Sequence, residues 1–190
     1  MNDTAHVDTF ARDNLPPPEA WPEFLFELSE LQYPGRMNCA TVLLDRAVLR
    51  GWGSRTAIVA PGGLRWTYAE LLERANRIAR VLVEDLGLVP GNRVLLRAPN
   101  SAMHAACWFA VMKAGGIAVG TMPLLRAREL TDIVDKARIS HALCDARLAA
   151  ELDAARPACP MLTTVALFES REPEALDARA ARKPATFVNV

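Results

Sequence analysis

The clearest periodicity in the chain runs from Leu71 to Leu86, where Leu71, Leu72, Ala75, Ile78, Ala79, Leu82, Val83 and Leu86 share one helical face. Thr67, followed three residues later by Glu70, makes a capping box, and Gly87 stands where that helix should stop. Upstream, the pattern predicts a helix over 38–50, a strand over 56–60, a turn at Pro61-Gly62-Gly63 and a short strand over 64–67. Downstream, it predicts a strand over 93–97 and a helix over 101–114 that is apolar on nearly every side and should be deeply buried. A strand over 117–120 follows, then an amphipathic helix carrying Leu130, Ile133, Val134 and Ala137. A strand over 141–145, a short helix over 147–155 and a strand over 162–167 complete the series. Strands alternating with helices of this length imply an α/β fold with an open, largely parallel sheet and flanking helices.

Three segments are expected. Residues 1–37 read as an extended arm, restricted by Pro16, Pro17, Pro18 and Pro22, whose Phe10, Trp21, Phe24, Phe26 and Tyr33 call for cover on a body. Residues 38–168 form the α/β subdomain. Residues 169–190 are a charged, alanine-rich tail with a partial helix.

Composition narrows the function. A 190-residue chain that is 51% hydrophobic can bury one ordinary core. Its formal net charge is zero and its pI is near 6.8, and its arginines are spread along the chain without a basic block. They are expected on solvated helix faces, and nucleic acid is not an expected partner. Cys39, Cys107, Cys144 and Cys159 are far apart, with no C-x-x-C pair; Cys107 and Cys144 lie in apolar runs, as small buried hydrophobes do. The acidic first 30 residues contain no apolar signal core, and the uncharged run 98–112 is shorter than the roughly 20 residues a spanning helix needs. No membrane partner is expected, and a reducing, cytoplasmic setting fits.

The stretch MKAGGIAVGTMPLLRAREL, residues 112–130, places Gly115, Gly116 and Gly120 near Lys113, Arg126 and Arg128. A phosphate cradle needs the order strand, glycine loop, helix, so that backbone N–H groups face the anion. Here a helix comes first and a strand follows, so the glycines face carbonyls and act as a helix stop. Neither a G-x-x-x-x-G-K-[ST] nor a G-x-G-x-x-G loop occurs, and no G-x-S-x-G elbow or H-E-x-x-H helix is present. His6, His104 and His141 are isolated, and the pairs Glu84-Asp85 and Asp132-Asp135 lie on helices read as solvated. The residues alone assemble no catalytic or metal site.

Three motifs, in order, carry a resemblance. Thr67-Tyr68-Ala69-Glu70-Leu71 resembles the first core motif of the adenylate-forming enzymes, the superfamily of acyl- and aryl-CoA ligases, luciferases and peptide-synthetase adenylation domains. GLVPGNRVLLRAPNS, residues 87–101, resembles the segment that follows it, and residues 112–130 resemble the second core motif. The segments DTFARDNLPPPEAWPEFLF and LLDRAVLRGWGSRTAIV look most like the benzoate and 2-aminobenzoate CoA ligase branch.

That resemblance implies the N-terminal portion of an ATP-dependent aryl-CoA ligase, which forms an acyl-adenylate and then a CoA thioester. The family's cofactors are ATP, Mg2+ and CoA, and its substrate here would be an aromatic carboxylic acid. The family's phosphate loop, magnesium Glu, ribose Asp and C-terminal Lys do not occur in this sequence, and RKPATFVNV, residues 182–190, resembles the approach to that loop. The fold is therefore expected as an incomplete N-terminal lobe, inactive alone and binding none of the three cofactors by itself. In related aryl-CoA ligases a basic residue just after the second motif's Pro reaches the 3′-phosphate of CoA. Pro123 is followed here by Leu124 and Leu125, so the corresponding candidates are Arg126 and Arg128, with a solvated charge at a helix start as the plainer role. The alternative is a non-catalytic module: a truncated product, or one chain of a split ligase that pairs with the remainder of the fold through an uncovered strand edge and apolar helix faces.

Overall fold

Alternation of side chains along two central strands organises the molecule, which a computed structural model describes over residues 4–190. In β3 (Arg93–Arg97), Val94 and Leu96 point into one hydrophobic core while Leu95 points into the other. β5 (His141–Asp145) divides likewise, with Leu143 on the first side and Ala142 and Cys144 on the second. Both strands are buried along their whole length, as a sheet covered on both faces requires. β4 (Ile117–Thr121) and β6 (Thr164–Phe168) lie outside them, giving the all-parallel order β4-β3-β5-β6.

The first core is covered by α2 (Tyr68–Arg80) and α3 (Ala102–Lys113). The second is covered by α4 (Ala127–Lys136) and α5 (Ala149–Ala155). The connection from β3 therefore leaves on one face and that from β5 on the other. In open α/β sheets such a switch point, at the strands' C-terminal ends, is where ligands bind.

α2 starts as its sequence dictates. Thr67 Oγ1 accepts from the Glu70 N–H at 3.2 Å, and Glu70 Oε2 accepts from the Thr67 N–H at 2.8 Å. A cap of this kind contributes about 1 kcal/mol. The helix continues through a π-helical turn, Val81–Asp85, and Gly87 at φ +69° releases it. The helix expected over 38–50 is present but π-wound, as two turns, Thr41–Asp45 and Val48–Trp52, with Gly51 at φ +84°. A separate antiparallel hairpin, β1 (Thr56–Val59) with β2 (Arg65–Thr67), leads into α2.

Several expectations need correction. α3 is not buried all round: Trp108 is 47% exposed, and His104 and Ala105 beside it are only partly covered. The last strand begins at Thr164 rather than 162, because Leu162 closes a turn by donating its N–H to Cys159 O and fills the second core. Arg93 and Arg97, expected in solvent with the other arginines, are 5% and 1% exposed.

The arm, which carries the short helix α1 (Phe10–Asp13), docks against the turn before β3. The Val7 and Asp8 N–H groups donate to Pro90 O, Asp8 pairs with Arg93 and Asn92, and the Phe10 ring lies 4.8 Å from the Arg93 guanidinium. Trp21, Phe24, Phe26 and Tyr33 were expected under cover. They pack instead on one another, Phe24 stacked on Phe26 and the other two pairs edge-on, with centroids 5.8–6.3 Å apart, and remain 45–57% exposed. Residues 1–3 of the expected arm lie outside the described residues.

The tail carries one short helix, α6 (Leu176–Ala181), and then runs along α2. Asn76 Nδ2 donates to Ala185 O at 2.7 Å, Arg80 Nε to Thr186 O at 2.6 Å, and Lys183 pairs with Glu84 and Asp85. Asn189 Nδ2 then reaches Thr41 Oγ1 at 2.6 Å.

Candidate functional site

Parallel pairing brings Arg97, Thr121, Asp145 and Phe168 to one rim of the sheet, at the switch between β3 and β5. Arg97 is the keystone of that rim. Its Nε donates to Leu148 O at 3.2 Å, Nη1 to Met122 O at 3.3 Å, and Nη2 to Pro123 O and Leu125 O at 3.2 and 2.9 Å. A buried guanidinium is tolerable only with its donors filled. Carbonyl dipoles fill these, and the β4–α4 loop is thereby held against Leu148, at the end of the β5–α5 connection.

Asp145, with its side chain fully buried, accepts from the Arg147 backbone N–H and Nε at 2.9 Å each and from Nη2 at 2.6 Å. The Arg147 guanidinium holds its carboxyl below the usual carboxylate range, against the opposing effect of burial.

The two arginines proposed from the second motif stand on this rim, at the start of α4. Arg126 is the N-cap and 76% exposed, with Nη1 at 2.8 Å from Glu151 Oε1. Arg128 is exposed one residue into the helix. The backbone donors a phosphate would want there are already engaged. The Arg126 N–H donates to Glu129 Oε2 and the Ala127 N–H to Glu151 Oε2, each at 3.0 Å. Arg126 first, then the Ala127 amide, lowers the Glu151 pKa, so that carboxylate sits charged at the helix start.

Gly115 and Gly116 lie at the opposite rim, where α3 ends. Gly115 takes φ +73°, and the Gly115 and Gly116 N–H groups donate back to Met112 O and Val111 O. The adjoining cleft, about 480 Å³ and lined in part by Thr4, His6, Asn38 and Val190, presents the carbonyl end of the helix. Met112 O and Lys113 O there accept from Asn38 Nδ2 and the Val190 N–H, at 2.7 and 3.0 Å. Nucleotide phosphates do not fit this cradle. Among the described residues no group of three or more His, Cys, Asp or Glu side chains is placed to hold a metal ion.

The histidines are not brought together. His141 is held between Ser140 Oγ at 2.8 Å and Leu86 O at 3.0 Å, and burial lowers its pKa. His104 stands beside Trp108, centroids 6.2 Å apart, with its pKa also lowered by burial. Sequence reasoning missed Arg97 and the Lys113–Asp45 pair, at 2.6–2.7 Å. A cation inside an otherwise apolar strand or helix was the available signal for both.

Comparison with known proteins agrees with this architecture. Residues 44–188, well over half the chain, match the family described as AMP-binding enzyme. Over 94 residues the chain is 45% identical to the salicyl-AMP ligase / salicyl-S-ArCP synthetase of Mycobacterium tuberculosis, covering 47% of this chain and 16% of that protein. It is 35% identical over 79 residues to the 2-hydroxy-7-methoxy-5-methyl-1-naphthoate–CoA ligase of Streptomyces carzinostaticus, covering 42% and 14%. A long-chain-fatty-acid–CoA ligase of Yersinia pestis is 34% identical over 97 residues, covering 51% and 17%. Among solved structures, the anthranilate CoA ligase AuaEII bound to anthranoyl-AMP superposes with TM-score 0.72 at 24% identity, over 80% of this chain and 28% of that one. ATP-bound MatB from Rhodopseudomonas palustris superposes with TM-score 0.68 at 26% identity, over 80% and 29%. The matched part is thus under a fifth of each curated relative and under a third of each solved chain. With three motifs in register on a parallel sheet of matching topology, this chain belongs to the AMP-binding enzymes, the adenylate-forming superfamily, and corresponds to part of their N-terminal domain.

Proposed function

We propose that this chain is the N-terminal portion of an ATP-dependent aryl-CoA ligase that converts benzoate or 2-aminobenzoate into an acyl-adenylate and then a CoA thioester. The observation that carries the aryl assignment is the 45% identity to a salicyl-AMP ligase, supported by the naphthoate–CoA ligase at 35%. Residues 38–168 serve as the body of the lobe. The rim at β3 and β5 contributes to substrate handling, with Arg126 and Arg128 offered to the 3′-phosphate of CoA.

Adenylation needs fixed donors and positive charge at the phosphates as charge develops. The glycine turn offers carbonyls, and the family's phosphate loop, magnesium Glu, ribose Asp and C-terminal Lys are absent from these 190 residues. The expected outcome for this chain alone is no acid-dependent pyrophosphate release with benzoate, 2-aminobenzoate, salicylate or hexadecanoate. Release with any of them overturns the inactivity. In a chain that joins this sequence to the downstream motifs, benzoate or 2-aminobenzoate should support release at a higher kcat/KM than hexadecanoate; the reverse order overturns the aryl assignment.

A second reading, a non-catalytic partner of a separate chain, is favoured by the half-exposed Trp108 on α3 and by the outer edges of β4 and β6, which pair with no further strand among the described residues.

A further inference from the structure

The neutrality of the chain conceals a local imbalance. Between Glu30 and Glu70 the only acidic residue is Asp45, while Arg36, Arg46, Arg50, Arg55 and Arg65 all fall in the same interval. Asp45 turns inward, with both carboxylate oxygens on Lys113 Nζ, so its charge does not offset the arginines outside. The π-wound helix gives the outer residues a common face. Leu43, Arg46, Leu49 and Arg50 are exposed, the two leucines by 60% and 83%, while Leu44 and Ala47 are buried behind them. Trp52 gathers the end of the face, with the Arg50 and Arg55 guanidiniums 6.0 and 5.0 Å from its ring centroid. Among the described residues Arg46, Arg50 and Arg55 meet no carboxylate in an ion pair.

We propose that this face docks on an anionic lipid surface, with Leu43 and Leu49 entering the headgroup region and Arg46, Arg50 and Arg55 meeting lipid phosphates. Exposed leucines flanked by arginines and an indole, with no acid among them, are the chemistry of an interfacial helix. The positive charge matches the negative surface potential that such a membrane presents. No helix of the described residues is long and apolar enough to span a membrane, and none is needed for peripheral docking. The inference is independent of the ligase reading.

The test is flotation of the 190-residue chain with vesicles of phosphatidylcholine, with and without phosphatidylglycerol. Binding should appear only with phosphatidylglycerol and should weaken as salt is raised. Replacing arginines with glutamine should lower partitioning about fivefold each, so R46Q/R50Q/R55Q lowers it on the order of a hundredfold. L49S should also weaken binding. Because all four positions are exposed, thermal unfolding of the variants should be unchanged. W108S, on the other apolar face, should bind as the parent does. Equal recovery with neutral vesicles, binding retained by the triple variant, or loss of binding in W108S each overturns the proposal. Binding to poly-glutamate but not to vesicles assigns the face to an acidic protein and likewise overturns it.

Discussion

Lys113 is wholly withdrawn from solvent, and its ammonium donates to both carboxylate oxygens of Asp45. Burial depresses its pKa and Asp45 opposes that shift. Removing one member of such a pair leaves an uncompensated charge, a cost of about 3–5 kcal/mol. D45A should therefore lower the urea midpoint sharply, and adding K113M should recover most of the loss; a double variant as unstable as the single one refutes this account. His141 gives a pH signature. Burial lowers its pKa from 6.5, so the unfolded chain takes up the proton first. Its contribution to stability is full above 6.5 and is lost as pH falls from there through the folded value. H141Q should flatten the stability profile between about pH 7 and pH 5; an unchanged slope assigns the titration elsewhere. These residues were the least legible part of the sequence. Nothing local marks Lys113 as the partner of a residue 68 positions away, or Arg97 as a clamp on four carbonyls.

Elements were far more legible, because their causes are local. The capping box at Thr67 and Glu70, the strands at 93–97 and 141–145 and the helix stop at Gly115-Gly116 follow from spacing and turn chemistry within a few residues. Errors arose where a neighbour overrode the pattern, as when Leu162 turned into the second core ahead of the strand. The candidate rim was legible only as far as Arg126 and Arg128; Glu151, the carboxylate that Arg126 meets, comes from a different helix. Arm docking depends on an equally non-local contact. Gly91 sits at φ +93°, and a Cβ there would clash with the Asp8 carbonyl oxygen. G91A should displace residues 6–10, cost on the order of 1–3 kcal/mol and expose the arm to protease. Unchanged cleavage kinetics would show that the arm is held by something else.

At the scale of the molecule, the half-exposed Trp108 predicts concentration-dependent association. Sedimentation velocity should show a species that W108S converts to monomer with no loss of thermal stability; a parent chain that stays monomeric at all concentrations refutes it. A second global property concerns what the braces hold. Arg93 and Arg97 grip carbonyls of four connecting segments, and Asn76, Arg77 and Arg80 grip those of residues 181–186. A carbonyl is the same on every residue, so these contacts fix a segment's route without inspecting its side chains. The gripped segments can drift in sequence while keeping their course, and the selective burden falls on five side chains elsewhere in the fold.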